Sequence, residues 1–242
     1  MFDNTWLIAI DLAAQRAATA LGGGSLGFEW AMRMLVTIDL LKMWLPVGLT
    51  LYVWLHPDNR LGSRMPFVIR GLLGLVLALA LDLLLQETVN RLRPRFAQPD
   101  YPFPPYESGW EDNITTSFPS DHAVLAFALT TIIWHRSRAL GLVAAAWSVA
   151  GICFPRLYFG FHWLSDLVAG AILGVLPVVL MMRLPLPAAT WRWAEAFERR
   201  SPALATVLAA AICYEFVRSF ETVRRGIKIG HDIIHTIGSK LG

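Results

Sequence analysis

Apolar residues run through this chain in long stretches, at roughly 38–56, 68–86, 119–135, 139–155, 163–182 and 202–217, divided by short polar connectors. Most of these stretches approach the ~20 residues that an α-helix needs to cross the hydrocarbon of a bilayer. They predict an all-α protein, a polytopic membrane bundle of five or six transmembrane helices. Ahead of the first stretch, Leu7, Ile10, Ala14, Ala17 and Leu21 form an apolar stripe at helical spacing, with Asp11, Gln15 and Thr19 to one side. That pattern predicts a helix over 1–24 lying in the membrane interface and ended by the flexible turn "GGGS". Asp3, Asp11 and Arg16 break any apolar core a cleaved signal peptide would need.

Composition agrees with the pattern. Of 242 residues, 55% are hydrophobic and 16% charged, against about 25% charged in soluble domains. The two cysteines, Cys153 and Cys213, each sit in an apolar stretch and read as buried thiols. Formal charge is only +3, and no basic tract is interleaved with aromatics, which argues against a nucleic-acid partner.

If the first five stretches all span, arginines collect on one side: Arg60, Arg64 and Arg70, then Arg136 and Arg138, then Arg183, Arg192, Arg199 and Arg200. The connectors 87–118 and 156–162 fall on the other side. The positive-inside rule puts the first set in the cytoplasm and the second outside an inner membrane. The end of the chain fits less well: if 202–217 spans too, the basic tail with Arg218, Arg224, Arg225, Lys228 and Lys240 lies outside. A half-inserted helix is the alternative. Without an internal repeat the chain reads as one membrane domain, with an interfacial helix at 1–24, a core at 38–182, and an extra helix and basic amphipathic tail at 183–242.

Polar residues cluster at three boundaries on the non-cytoplasmic side. Asp82, Gln86, Asn90 and Arg93 are spaced to share one helical face, with Pro94 ending it. An Asp within an apolar run points to a cavity or a partner. Pro119, Ser120, Asp121 and His122 open the next helix, where unpaired N–H groups and the helix dipole favour an anion; Ser120 could equally be a plain N-cap. His162 and Asp166, at i and i+4, allow a carboxylate to fix the imidazole tautomer, with Arg156 just upstream.

Together these residues resemble the type 2 phosphatidic acid phosphatases, the PAP2 superfamily. Its pattern is Lys, six residues, Arg-Pro; then Pro-Ser-Gly-His; then Ser-Arg, five residues, His, three residues, Asp. Here it appears as "QETVNRLRP" from Gln86, "PSDH" from Pro119 and "PRLYFGFHWLSD" from Pro155. Order and spacing match, and the flanking helices extend the likeness to roughly 38–182. Gln86, Asp121 and Pro155 depart from the pattern's Lys, Gly and Ser. Loss of the Lys puts phosphate binding on the arginines, with Arg91 or Arg95 as candidate helpers. "PSDH" resembles the bacterial branch that acts on undecaprenyl diphosphate.

The resemblance implies a cofactor-free, metal-free lipid phosphatase. His162, oriented by Asp166, would be the nucleophile that becomes a phosphohistidine. His122 would protonate the leaving oxygen. Arg93, Arg156, Ser120 and Gln86 would hold the phosphoryl oxygens. The expected partner is a lipid phosphate or diphosphate presented from the bilayer; oligomeric state is unread. The loop "FAQPDYPFPPYESGWEDNITT", with Tyr101, Phe103, Tyr106 and Trp110, would anchor at the interface or lid the site. Alternatives are a phosphatase of phosphatidate, phosphatidylglycerophosphate or lipid A phosphate, a phosphotransferase, and a non-catalytic lipid-phosphate carrier. "HDIIH" (His231, His235) has the spacing of a zinc-peptidase helix but an Asp in place of Glu, and no third ligand is evident.

Overall fold

A computed structural model describes residues 5–22, 25–56, 64–106 and 116–218. All regular elements among them are helices: α1 (Thr5–Gly22), α2 (Leu26–Thr37), α3 (Asp39–Leu55), α4 (Met65–Thr88), the short α5 (Pro94–Ala97), α6 (Asp121–Arg136), α7 (Arg138–Trp147), α8 (Phe154–Tyr158), α9 (Leu164–Arg183), α10 (Ala189–Arg200) and α11 (Pro202–Val217). A π-helical stretch, Ser148–Cys153, joins α7 to α8 into one continuous helix. Trp110, Arg60 and the tail beyond Arg218, including His231 and His235, lie outside the described residues.

The helix α6 is the axis of the bundle. Val124, Leu125, Ala126, Ala128, Leu129, Ile132 and Ile133 are all shielded, as expected of a helix apolar all round. It can be central because α9 meets it through small residues. A Cβ at Gly170 would stand 2.6 Å from the Ser120 carbonyl oxygen, and one at Gly174 would stand 2.8 Å from the Ala128 nitrogen. This is the small-residue packing that membrane helices use for close approach. Gly74 gives α4 the same access to α9 at Val178.

The outer surface carries the opposite signature. On α9, Val168, Ile172, Leu176 and Leu180 lie on one stripe and are about half exposed, facing away from Gly170 and Gly174. Exposed apolar stripes of this length suit lipid, not water. By length and composition Met65–Thr88, Arg138–Tyr158 and Leu164–Arg183 can each cross a membrane. Leu26–Thr37 and Asp39–Leu55 qualify only as a pair bent by 67°, and Ala189–Arg200 with Pro202–Val217 only as a pair bent by 117°. The first bend falls at Ile38, whose extended backbone ends α2 and starts α3. The chain is thus a multi-pass membrane bundle. Its last helix turns back along α3, where Phe216 packs against Trp54 and Arg218 lies 3.6 Å from Asp39.

Helix α1 meets the bundle through its polar side. Its stripe of Ile10, Ala17 and Leu21 faces outward, and its inward face is polar or small: Asp11, Gln15, Ala18 and Gly22 are buried. Gln15 donates to the Leu157 carbonyl at 2.7 Å. The polar residues are therefore the contact surface of α1 with the bundle, because they find partners there that lipid does not offer.

Candidate active site

The segment Phe159–Trp163 between α8 and α9 carries His162. Gly160 turns it with a left-handed φ of 71°, a conformation that glycine adopts without Cβ strain. Phe159 and Phe161 are buried against Tyr106, with ring centroids at 5.3 and 4.9 Å. Tyr106 is therefore packing for this segment, not an interface anchor. Tyr101 packs on Phe103 and meets the Thr19 hydroxyl of α1 at 2.5 Å. Arg95 bonds the carbonyls of Pro104 and Phe159. It stitches these loops together.

His162 is 4% exposed, and its Nδ1 lies 2.8 Å from the Ser117 carbonyl oxygen. A carbonyl only accepts, so Nδ1 carries the proton and Nε2 keeps its lone pair. Asp166 stands 4.0 Å from Nδ1, beyond hydrogen-bond reach. The expected His162–Asp166 hydrogen bond is thus replaced by one to Ser117. Burial first, and then the positive charge of Arg93, push the His162 pKa down to about 3. The ring is neutral at physiological pH.

Asp166 holds the loop. Its Oδ2 accepts the Trp163 backbone N–H at 2.9 Å, and its Oδ1 accepts from Arg91. Arg91 also donates to Ser165 Oγ at 2.7 Å and to Asp11 of α1 at 2.6 Å, while its guanidinium lies 5.4 Å from the centre of the Trp163 ring. Asp11 in turn accepts from the Ser165 N–H at 2.9 Å. Asp11, Arg91 and Asp166 are all buried, and two carboxylates around one guanidinium satisfy a charge that would otherwise be costly there. Sequence reasoning missed Asp11 and Ser165, and offered Arg91 only as a helper in phosphate binding.

On α6, Ser120 occupies the N-cap position without a side-chain cap bond. Its hydroxyl is buried and lacks a partner among the described residues. Its backbone N–H donates to the Asp166 carbonyl at 3.2 Å, and that of His122 donates to Asp121 Oδ1 at 2.7 Å. Two of the N–H groups expected to stay free for an anion are therefore taken. Pro119 also precedes the helix instead of opening its first turn. His122 Nδ1 lies 2.7 Å from the same Asp121 oxygen. Arg156, buried in α8 just after the π-helical stretch, donates to the Ile152 carbonyl at 2.8 Å. Such a stretch shifts the register of the residues beyond it and is frequent at functional sites.

The fold brings five of these groups into one electrostatic neighbourhood. His162 feels Arg93, Asp121 and Arg156, and His122 feels Arg156, Asp121 and Lys42. Gln86 is left out. Its amide donates to Asp82 at 3.0 Å, within α4. The predicted helical face from Asp82 to Arg93 also stops short, because α4 ends at Thr88. Beyond it the Val89, Arg91 and Leu92 carbonyls accept from Thr116, Ser117 and Trp163, which draws 89–93 into an extended segment. Arg93, preceding Pro94, has ψ 151°, as the steric rule for that position requires. Among the described residues, no three His, Cys, Asp or Glu side chains are placed to hold a metal ion.

The sequence pattern of the PAP2 superfamily matches residues 67–190, just over half of the 242-residue chain. The chain belongs to the PAP2 superfamily. Among relatives of this PAP2 protein is YbjG of Escherichia coli (strain K12), named as a putative undecaprenyl-diphosphatase, 39% identical over 64 residues, which is 25% of this chain and 30% of the relative. The bacitracin transport permease protein BcrC of Bacillus licheniformis is 29% identical over 161 residues, 64% of this chain and 73% of that one. The matches thus span less than a third of the first relative and about three quarters of the second. A crystal structure of a transmembrane PAP2-type phosphatidylglycerolphosphate phosphatase from Bacillus subtilis shares the fold, with a TM-score of 0.50 at 20% identity, covering 74% of this chain and 86% of that one.

Proposed function

We propose that this PAP2 protein is a membrane lipid phosphatase that removes the terminal phosphate of an isoprenoid diphosphate, undecaprenyl diphosphate, through a phosphohistidine. The observation that carries the reading is the neutral His162, its Nδ1 proton engaged by Ser117, in the field of Arg93 and Arg156. Its Nε2 attacks the terminal phosphorus, a P–N bond forms, and the P–O bond to the rest of the lipid breaks. His122 gives its proton to the departing oxygen, then takes one from the water that cleaves the P–N bond and releases inorganic phosphate. Arg93 and Arg156 offset the charge on the phosphoryl oxygens, and the Ser120 hydroxyl is a further donor for one of them. The Gln86 amide, half-buried near the end of α4, is a further candidate donor to the phosphate.

Choice of substrate rests on "PSDH" and on the name of the first relative. The protein acts as one domain of the inner membrane with this site on the outer face, where the arginine bias of the connectors puts it. Helix α1 lies in the interface with Trp6, Ile10 and Leu21 toward lipid.

The test is phosphate release by purified protein in detergent. Undecaprenyl diphosphate should be hydrolysed faster than phosphatidate, phosphatidylglycerophosphate or lipid A phosphate. A reversed order would change the substrate and keep the enzyme. No release from any of them, with binding retained, would make the protein a carrier.

A further inference from the structure

In this chain an aspartate, Asp121, stands where the family pattern has glycine, and it is placed against His122. Its Oδ1 lies 2.7 Å from the ring Nδ1 and accepts the His122 backbone N–H at 2.7 Å. One carboxylate oxygen thus grips both the ring and the main chain of the next residue. Both side chains are only partly accessible, at 15% and 21%, so water competes weakly for the contact.

The surrounding charge gives that carboxylate a task. Burial first, and then the positive charges of Arg156 on α8 and Lys42 on α3, work against a protonated His122. Lys42 is itself paired with Asp39 at 2.5 Å and bonded to the Val36 carbonyl. From the α9 side, His162 is neutral, and the nearby Asp166 is committed to Arg91 and Trp163. Among the described residues, Asp121 is therefore the anion in direct contact with an imidazole whose positive charge Arg156 and Lys42 oppose. An acid must hold a proton before it can give one, and adjacent cations oppose that while an adjacent carboxylate favours it.

We propose that Asp121 is a positioning residue for His122: its carboxylate holds Nδ1–H and aims Nε2 at the leaving oxygen. This rests on the reading of His122 as the proton donor. In the donating step the Nε2–H bond breaks as the proton passes to the leaving oxygen. The ring becomes neutral with Nδ1–H still on Asp121, and the same Nε2 then accepts the proton of the attacking water. A carboxylate whose only role was to start the helix, where acids are favoured, would not govern the tautomer.

The experiment compares wild type, Asp121→Asn, Asp121→Glu and His122→Ala for phosphate release across pH, using whichever of undecaprenyl diphosphate and phosphatidate the wild type hydrolyses faster. Asp121→Asn should lower kcat by at least about tenfold with little change in KM. It should also move the basic limb of the kcat profile to lower pH, because the protonated ring loses its anion. Asp121→Glu should restore most of kcat and the position of the limb. An unmoved limb in Asp121→Asn would overturn the proposal. Should the variants fold poorly, nitrogen-15 NMR of His122 in the wild type decides alone. At high pH the proton should reside on Nδ1, and a ring protonated on Nε2 would overturn the assignment. His122→Ala separates the two layers: if it retains full activity, the reading of His122 as acid fails first. If it is inactive while Asp121→Asn matches wild type, only the role given to Asp121 fails.

Discussion

The ring of His162 and the carbonyl of Ser117, 45 positions apart, meet at 2.8 Å. The contact leaves Nε2 unprotonated, and burial with Arg93 keeps it so down to about pH 3. An unfolded chain titrates the same ring near ~6.5. The Nε2 of His162, the proposed nucleophile, therefore keeps its lone pair above about pH 3. Stability has the opposite dependence on this group: below ~6.5 the unfolded chain binds a proton that the native ring refuses, so acid destabilises the fold. NMR signals of His162 should remain those of the neutral Nδ1–H form at about pH 5, while the thermal midpoint falls as pH drops through ~6.5. Protonation of this ring near ~6.5 in the folded protein would contradict the geometry.

Arg91 depends on two acids, and Asp11 is the one supplied from outside the family motifs. Asp11→Ala takes one of its two carboxylate partners from the buried guanidinium and also strips the Ser165 N–H of its acceptor. Removing one partner of a buried pair costs about 3–5 kcal/mol, and the remaining carboxylate puts this case at the lower end. Thermal unfolding in detergent should show that loss, with Arg16→Ala on the exposed side of the same helix as control. A loss no larger than that of the control would mean that α1 is not fastened through this network.

How much the sequence disclosed depends on how local each feature is. The apolar stretches marked the helices, because burial in lipid needs only length and composition. His162, Asp166, Arg156, Ser120 and His122 stood out because their spacing within short motifs is fixed. The Asp11–Arg91 pair, 80 positions apart, has no local signature, and an Asp on an amphipathic helix looks like its wet face. The extended run 89–93 reads as helix for the same reason. Its carbonyls are claimed by Thr116, Ser117 and Trp163, partners that no window around Asn90 contains. Ser117 itself lies outside every motif, so the group that orients His162 could only be found in three dimensions.

If His162 Nε2 is the atom that attacks phosphorus, label from a phosphorus-32 lipid substrate should appear on the protein during turnover. A phosphoramidate survives alkali and is lost in acid, so an alkaline quench should retain the label and an acid quench should release it. His162→Ala should show none. Prior treatment with EDTA should change neither labelling nor release, because the proposed steps use only side chains. Label that survives acid on a different residue would relocate the nucleophile.

The closeness of α9 to α6 sets the site as well as the fold. At Gly170 a Cβ would press on the Ser120 carbonyl and on the Ala123 methyl at 2.9 Å, beside the residues that carry Asp121 and His122. At Gly174, one turn further along, it would press on Ala128 and Val124. Either alanine must push the helices apart, and overpacking of this kind costs about 1–3 kcal/mol. The activities should differ. Gly170→Ala displaces the start of α6 from Asp166, whose carbonyl the Ser120 N–H holds at 3.2 Å, and misplacement by about 1 Å can cost on the order of a hundredfold in rate. Gly174→Ala, farther from the two histidines, should lose comparable stability while keeping much more of kcat. Gly48→Ala, with open space where its Cβ would go, is the neutral reference. Equal losses of kcat at 170 and 174 would mean that helix spacing acts on the whole bundle, with no special hold on the mouth of the site.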